Sequence, residues 1–416
     1  VIEKKMPLKL DIIPIKTGND INRKIHDIYS KYIEFKIIPY FSGDTNSKYS
    51  IKFFNKTYGI KINPQIFKKK NEMMRFLGDI AKKKFIQVNY KDLFHLEIEE
   101  LREKIGDSCI IKPIDASSSV STFKLGDISE LLEVRRKLSK KYDYIIEEYI
   151  GGELYSLDFF FDGENAFFLS FMREIAMIEL SDKKKFSKSF LDSYGEEIEK
   201  HFQFIIPIRY NLDFSKISLT EVKFLNSIIL KLKEIGYRGP IHLEYKYDKK
   251  TNKIGFIEWG ARYGWKRVSW MKKIYQLDSQ KIPHYTLIQQ DFSKFQKIGK
   301  SHLYIPIEQE PNINLIGCKT NFIGTTNYIS ILKKMGGIFD ISVSQFLKDY
   351  YFRVFGIKVQ NIDFYAKYSS GYNFFPFYIN NETRFDYILE LDDKNFELFK
   401  LKKFQIIEKT FFHDYK

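Results

Sequence analysis

Residues His242–Trp265 read HLEYKYDKKTNKIGFIEWGARYGW. Apolar and polar residues alternate on both sides of the polar segment DKKTNK, so Ile241–Tyr247 and Ile254–Trp259 are expected to form two antiparallel strands joined by a hairpin. Glu244 falls in the middle of the first strand and Glu258 near the end of the second, each in otherwise apolar surroundings. A hairpin can set both carboxylates on one side of neighbouring strands. Two like charges held that close are destabilising unless a cation lies between them. Hard oxygen donors of this kind suit Mg2+, with Mn2+ as an alternative occupant; such an ion keeps waters and takes phosphate oxygens as its remaining ligands. Arg262 follows in a glycine-containing turn, and its guanidinium fork suits a carboxylate or phosphate oxygen pair. The plainer reading is two exposed strand carboxylates paired with Lys246 and Lys253. His242 is expected on the opposite strand face from Glu244, in a structural role. Trp259, Trp265 and Trp270 either line a pocket or fill the core.

Upstream of this hairpin, Leu219–Ile235 is expected to be a helix with Leu225, Ile228, Ile229 and Leu232 on its apolar side and Gly236 closing it. Residues 154–161 and 165–172 form a second expected hairpin around Asp162-Gly163. Before it, YIIEEYIGGEL (144–154) reads as a strand that exits into a Gly-Gly turn, with Glu147, Glu148 and Glu153 around the exit. Residues 108–114 (SCIIKPI) have a buried-strand pattern that places Lys112 among apolar neighbours, where a charge is costly without a partner. The loop DASSSVS (115–121), with Ser117, Ser118 and Ser119, offers hydroxyl and backbone N–H donors that can fold over phosphates while the lysine neutralises charge. A snorkelling lysine at a sheet edge before an ordinary turn is the competing reading. A strand near 122–125 and a helix over Ser129–Lys140 with Ser129 as N-cap are expected next. Farther out, residues 65–80 read as a helix and 85–88 as a strand. The order strand (9–15), helix (20–32), strand (34–40) reads as the end of a small α/β domain. Beyond residue 290 the pattern weakens to strand-like runs (HLYIPI, NFFPFYI) and a helix near 343–355.

The chain has 416 residues, 44% of them hydrophobic, too long for one compact core and ample for several. The mixture of helical and strand patterns indicates an α/β or α+β protein. Its formal net charge of +15 is spread along the whole sequence rather than concentrated in a stripe, so nucleic acid is not the expected partner. Clusters such as Lys183-Lys184-Lys185 read as solvated faces. Two widely spaced cysteines, Cys109 and Cys318, make a disulfide framework unexpected and a reducing cytoplasm the simplest setting. No apolar run reaches membrane-spanning length, and the amino-terminal stretch does not read as a signal peptide. Walker A, Rossmann, G-x-S-x-G and H-E-x-x-H signatures are missing.

Taken in order over roughly residues 65–270, the lysine strand with its polar loop, the strand running into Gly-Gly and the acidic hairpin resemble the ATP-grasp superfamily. Within it, GYRGPIHLEYKY (236–247) and FIEWGARYGW (256–265) are most similar to amino-acid and dipeptide ligases related to the bacilysin-type L-amino-acid ligases; biotin carboxylase is a more distant relative. The resemblance implies two lobes clasping ATP, preceded by a shortened α/β domain over 1–64. Residues 65–143 would form the linker helix and phosphate-loop subdomain, 144–290 the central and metal-binding subdomain, and 291–416 a lobe completing the substrate pocket.

It also implies roles. Lys112 would bind the α- and β-phosphates, under Ser117–Ser119. Glu147 would hold the adenine with the backbone of Glu148 and Ile150, and Glu153 the ribose. Glu244 and Glu258 would ligate Mg2+, and Arg262 would bind the substrate carboxylate and then the acyl phosphate. Family members carry an earlier ATP-contacting lysine, here aligned with Asn71, so the adjacent Lys70 is taken as its stand-in. The serine-rich loop, where glycines are usual, and Gly260, where an Asn ligand is common, are departures. The implied activity is an ATP-dependent carboxylate–amine ligase acting through an acyl phosphate on small, amino-acid-like carboxylate and amine substrates. Membrane and nucleic acid are not expected partners, and homodimerisation is left open. The alternatives are a carboxylase-like or thiol-ligating relative with a non-amine acceptor, and a nucleotide-binding homologue without turnover.

Overall fold

The computed structural model describes residues 51, 55, 61–115, 122–175, 202–203, 209–264, 267–279, 281–307, 313–323, 345, 347–349, 351–352, 355–365, 377–379 and 382–401. The expected strand–helix–strand of residues 9–40 and the loop serines Ser117, Ser118 and Ser119 lie outside them.

The first part builds a small sheet: α1 (Lys70–Leu77), β1 (Phe85–Val88), α2 (Ile98–Ile105), β2 (Cys109–Pro113), β3 (Phe123–Leu125), α3 (Leu131–Val134) and β4 (Tyr144–Glu148). Its strands run antiparallel in the order β1-β4-β2-β3. Side chains alternate across it. Cys109, Ile111, Tyr144 and Ile146 are buried in one cluster with Leu101 and Ile105 of α2 and Leu131 of α3. That alternation sends Ile110, Lys112, Ile145 and Glu147 to the other face.

Two expected helices are shorter than their apolar spacing suggests. The 65–80 segment is a 3-10 turn, then α1, then a second 3-10 turn, broken where Gly78 takes φ +54°. The 129–140 segment is capped by Asp127, not Ser129. The Asp127 carboxylate accepts the Ser129 N–H while Glu130 closes the capping box, so the turn starts earlier, and α3 ends at Val134.

The remaining elements form a second, larger sheet: β5 (Glu153–Phe161), β6 (Ala166–Glu174), β7 (Phe202–Gln203), β8 (Arg209–Asn211), α4 (Leu219–Glu234), β9 (Gly239–Asp248), β10 (Lys253–Gly260), α5 (Arg267–Tyr275), β11 (Phe295–Lys297), β12 (Leu303–Pro306), β13 (Asn314–Ile323), β14 (Asn361–Tyr365), β15 (Phe377–Ile379), β16 (Glu382–Leu391) and α6 (Asp393–Leu401). Its main path is β10-β9-β5-β6-β8-β13-β16-β14. Strands from the last third of the chain therefore extend the same sheet, with β13 and β16 pairing over ten residues each.

Helix α4 covers one face of this sheet. Ser218 caps it in a capping box with Glu221, whose Oε1 also accepts the Tyr245 hydroxyl of β9 at 2.7 Å. Phe224, Leu225, Ile228, Ile229 and Leu232 are buried along the helix, each such side chain contributing roughly 1.5–3 kcal/mol of gross burial. Tyr245, Leu243 and Ile241 point to this apolar side, so the even-numbered residues of β9 face the other way. That other face meets the small sheet. No helix among the described residues is long and apolar enough to cross a membrane.

Candidate active site

Hairpin β9–β10 pairs in a register that sets Glu258 directly opposite Glu244, after an irregularity between Phe256 and Glu258. The two carboxylates share the sheet face turned toward the small lobe. Glu258 opens into the cleft, with 37% of its side chain exposed. Desolvation and then the neighbouring charge of Glu244 raise its pKa above the usual carboxylate value, against the pull of Lys70 and Lys112. Glu244 is more enclosed, at 13%.

Across the cleft, the small sheet presents a lysine-rich face. Lys112 Nζ and Lys83 Nζ each donate to Glu147 Oε1 at 2.9 Å. Burial alone would raise the Glu147 carboxyl, but the two ammonium groups outweigh it and hold the group below its ordinary range. Its second oxygen, Oε2, is buried with no hydrogen-bond partner. At the start of α1, Lys70 lies 4.0 Å from Glu258, and burial lowers its pKa. Its neighbour Asn71 instead donates to Gln87, so Lys70 is the residue that reaches the cleft.

The lobes touch beside this point. Gly255 of β10 packs under Ile150 and Lys83, where a Cβ would collide with the Ile150 Cδ1. Lys253 pairs with Glu148, and Lys246 donates to the Tyr149 hydroxyl at 3.2 Å while lying over its ring. Of the backbone groups assigned to a base edge, the Glu148 N–H is already donated to Lys84 O at 2.9 Å.

One sequence expectation needs correction, and one candidate site residue lies apart from the others. His242 is not on the opposite face from Glu244: residues two apart in a strand point the same way. Its Nε2 lies 3.1 Å from Glu244 Oε1, and its Nδ1 lies 3.0 Å from Asp158 Oδ1. Burial would lower the imidazole pKa, but Asp158 and Glu244 together raise it. Glu153, conversely, stands in register with Tyr247, on the helix-covered side. Arg173 and Lys249 engage it there, away from the cleft, and the cleft-facing position is Leu154.

Arg262 lies past the end of β10, donating to Tyr263 O at 3.1 Å, with its side chain alongside Gly260. Sequence reasoning missed Lys83, Lys246, Arg209 and Asp158. Lys83 hides in the run Lys82-Lys83-Lys84, which reads as solvated. Arg209 ion-pairs with Glu174 at 2.7 Å and approaches Glu244 at 3.8 Å. Among the described residues no cluster of three or more His, Cys, Asp and Glu side chains forms a metal cage.

The ATP-grasp domain family matches residues 91–203, which span the small sheet's β2–β4 and the start of the large sheet. No curated protein matches. Among solved structures, the chain is similar to an L-amino acid ligase from Bacillus licheniformis at 14% identity and a TM-score of 0.48, covering 92% of this chain and 81% of that one. N5-carboxyaminoimidazole synthetase from Staphylococcus aureus, complexed with ADP, matches at 11% identity and 0.44, with 81% and 70% covered. The biotin carboxylase domain of the Hydrogenobacter thermophilus 2-oxoglutarate carboxylase, in complex with MgADP, ADP and bicarbonate, matches at 13% identity and 0.48, with 91% and 75% covered. Within this two-sheet architecture, it is residues 91–203 that match the ATP-grasp domain family.

Proposed function

We propose that the protein is an ATP-dependent carboxylate–amine ligase that activates an amino-acid-like carboxylate as an acyl phosphate and joins it to an amine. The observation that carries this reading is the opposition of Glu244 and Glu258 beneath Lys112 and Lys70 of the facing lobe. Two adjacent carboxylates that repel each other fit a divalent ion that completes its shell with water and phosphate oxygens. Bound there, Mg2+ would neutralise charge on the transferring phosphoryl group. Lys112 and Lys70 would hold phosphate oxygens from the opposite side. The orphaned Glu147 Oε2 fits an N–H donor such as the adenine 6-amino group, and Ile150 would cover the base. Arg262 would bind the substrate carboxylate and then the charge that develops as it is phosphorylated. The two lobes would exclude water from the reactive anhydride.

The test is ADP release by the full chain over pooled amino acids with Mg2+. The reading expects turnover that requires one substrate with a free carboxylate and one with a free amine. Turnover with a thiol or with bicarbonate in place of the amine points to the non-amine alternative, and nucleotide binding without turnover on any pool points to a homologue without catalysis.

A further inference from the structure

Beneath the proposed metal carboxylate runs a buried polar chain across three strands. Asp158 of β5 is fully buried and accepts three donors: the Ser170 hydroxyl at 2.6 Å, the backbone N–H of Gly264, and His242 Nδ1 at 3.0 Å. On its other side His242 Nε2 reaches Glu244 Oε1 at 3.1 Å. Arg209, itself tied to Glu174, approaches the same oxygen at 3.8 Å.

An ionised carboxylate only accepts hydrogen bonds. With one ring nitrogen against each of two carboxylates, the His242 imidazole has its ring plane fixed from both sides. The polar chain also costs stability: a buried acid, a buried imidazole and a second acid each lose hydration that an apolar core would not need to replace. Core packing gives no reason for it, because the opposite face of the same strands is filled by Tyr155, Leu157, Leu243 and Tyr245. What the chain does is immobilise one oxygen of Glu244 and, through Gly264, the turn that carries Arg262.

We propose that Asp158 and His242 are positioning residues: by holding Glu244 Oε1 they fix that carboxylate in its place opposite Glu258 for a divalent ion, and the same Asp158 carboxylate fixes the Arg262 turn. This rests on the ligase reading of the site. Hydrogen-bond partners of metal-ligating groups commonly contribute 10- to 100-fold in metal affinity, and that is the size of effect expected here.

The experiment measures Mn2+ binding to the full chain saturated with ADP, by electron paramagnetic resonance, beside metal-free ADP affinity by calorimetry. His242→Leu is expected to weaken Mn2+ by about 10- to 100-fold while metal-free ADP affinity stays within about twofold. His242→Gln, whose amide N–H can still reach Glu244, is expected to recover most of the loss, and Asp158→Asn to fall between. If wild type binds Mn2+ and His242→Leu binds it equally well, the inference is overturned while the ligase reading stands. If His242→Leu loses metal-free ADP affinity in parallel with Mn2+, or His242→Gln is no better than His242→Leu, the residues are structural supports and the inference is again overturned. A wild-type chain whose ADP complex takes up no Mn2+ overturns both.

Discussion

Lys83 donates to Glu147 at 2.9 Å with both side chains about 1% exposed, an ion pair sealed from solvent at the seam between the lobes. Removing one member of such a pair leaves the other charge buried alone, at about 3–5 kcal/mol. Glu147→Gln strands two ammonium groups, Lys83 and Lys112, whereas Lys83→Met still leaves Lys112 on Glu147. Denaturant unfolding at pH 7 is therefore expected to show Glu147→Gln as the more damaging change, with Lys83→Met partly rescuing it in the double variant. The reverse order would contradict this pairing. Because the folded Glu147 pKa is depressed, its stabilisation is present above the unfolded carboxyl value of about 4.3 and is lost as pH falls through the folded one. The gap between wild type and Glu147→Gln should close as the solution is acidified over that window.

Glu258→Gln is expected to have opposite effects with and without metal. In the metal-free chain it removes a cross-strand repulsion worth roughly 0.2–1 kcal/mol, so the thermal midpoint should rise by about 0.2–1 °C. With ADP present, divalent-ion binding should be lost. A variant that melts lower without metal would mean that the Lys70 contact outweighs the repulsion from Glu244.

Lys246 sits at a pKa of about 8, through burial first and then the charges of Lys83 and Lys124. At pH 8 its neutral amine fraction exceeds that of an ordinary lysine, with pKa near 10.4, by on the order of a hundredfold. Limited acylation at pH 8 followed by peptide mapping should find Lys246 labelled ahead of lysines such as Lys249, and ADP should protect it. Labelling no faster than Lys249 would count against the perturbed amine.

Two glycines at the seam should respond differently to alanine. Gly152 has φ +88° and a Cβ there would run into Tyr247 O and Asp248 backbone, which cannot yield cheaply. At Gly255 the obstacle is the end of the Ile150 side chain, which can rotate away at about 1–3 kcal/mol. Gly152→Ala should be the more destabilising by thermal unfolding, and Gly255→Ala should instead weaken ADP binding by displacing Ile150.

The hairpin was readable because alternation, a polar turn and two acids in apolar strands are all local signals; so were helix α4, strand β2 with Lys112, and the β5–β6 pair. Other features depend on faces and on distant partners. Glu153 looked suited to a ribose because it follows the Gly-Gly turn, yet odd-numbered positions of β5 point at the helix side. Lys83 takes its meaning from Glu147, 64 residues away. The pairing of β13 with β16 joins segments about 70 residues apart, so neither strand announces its partner.

The β13–β16 extension and the seating of β5 against β9 carry a practical consequence for dissection. The segment recognisable as an ATP-grasp domain stops at residue 203, before β8 and β9 have been made. A fragment cut to that boundary would expose the nine-residue β5 as a bare, apolar edge, a template for self-association. The stretch matched by the domain family is thus smaller than the set of strands that complete one another's edges, and expression trials should use the full chain.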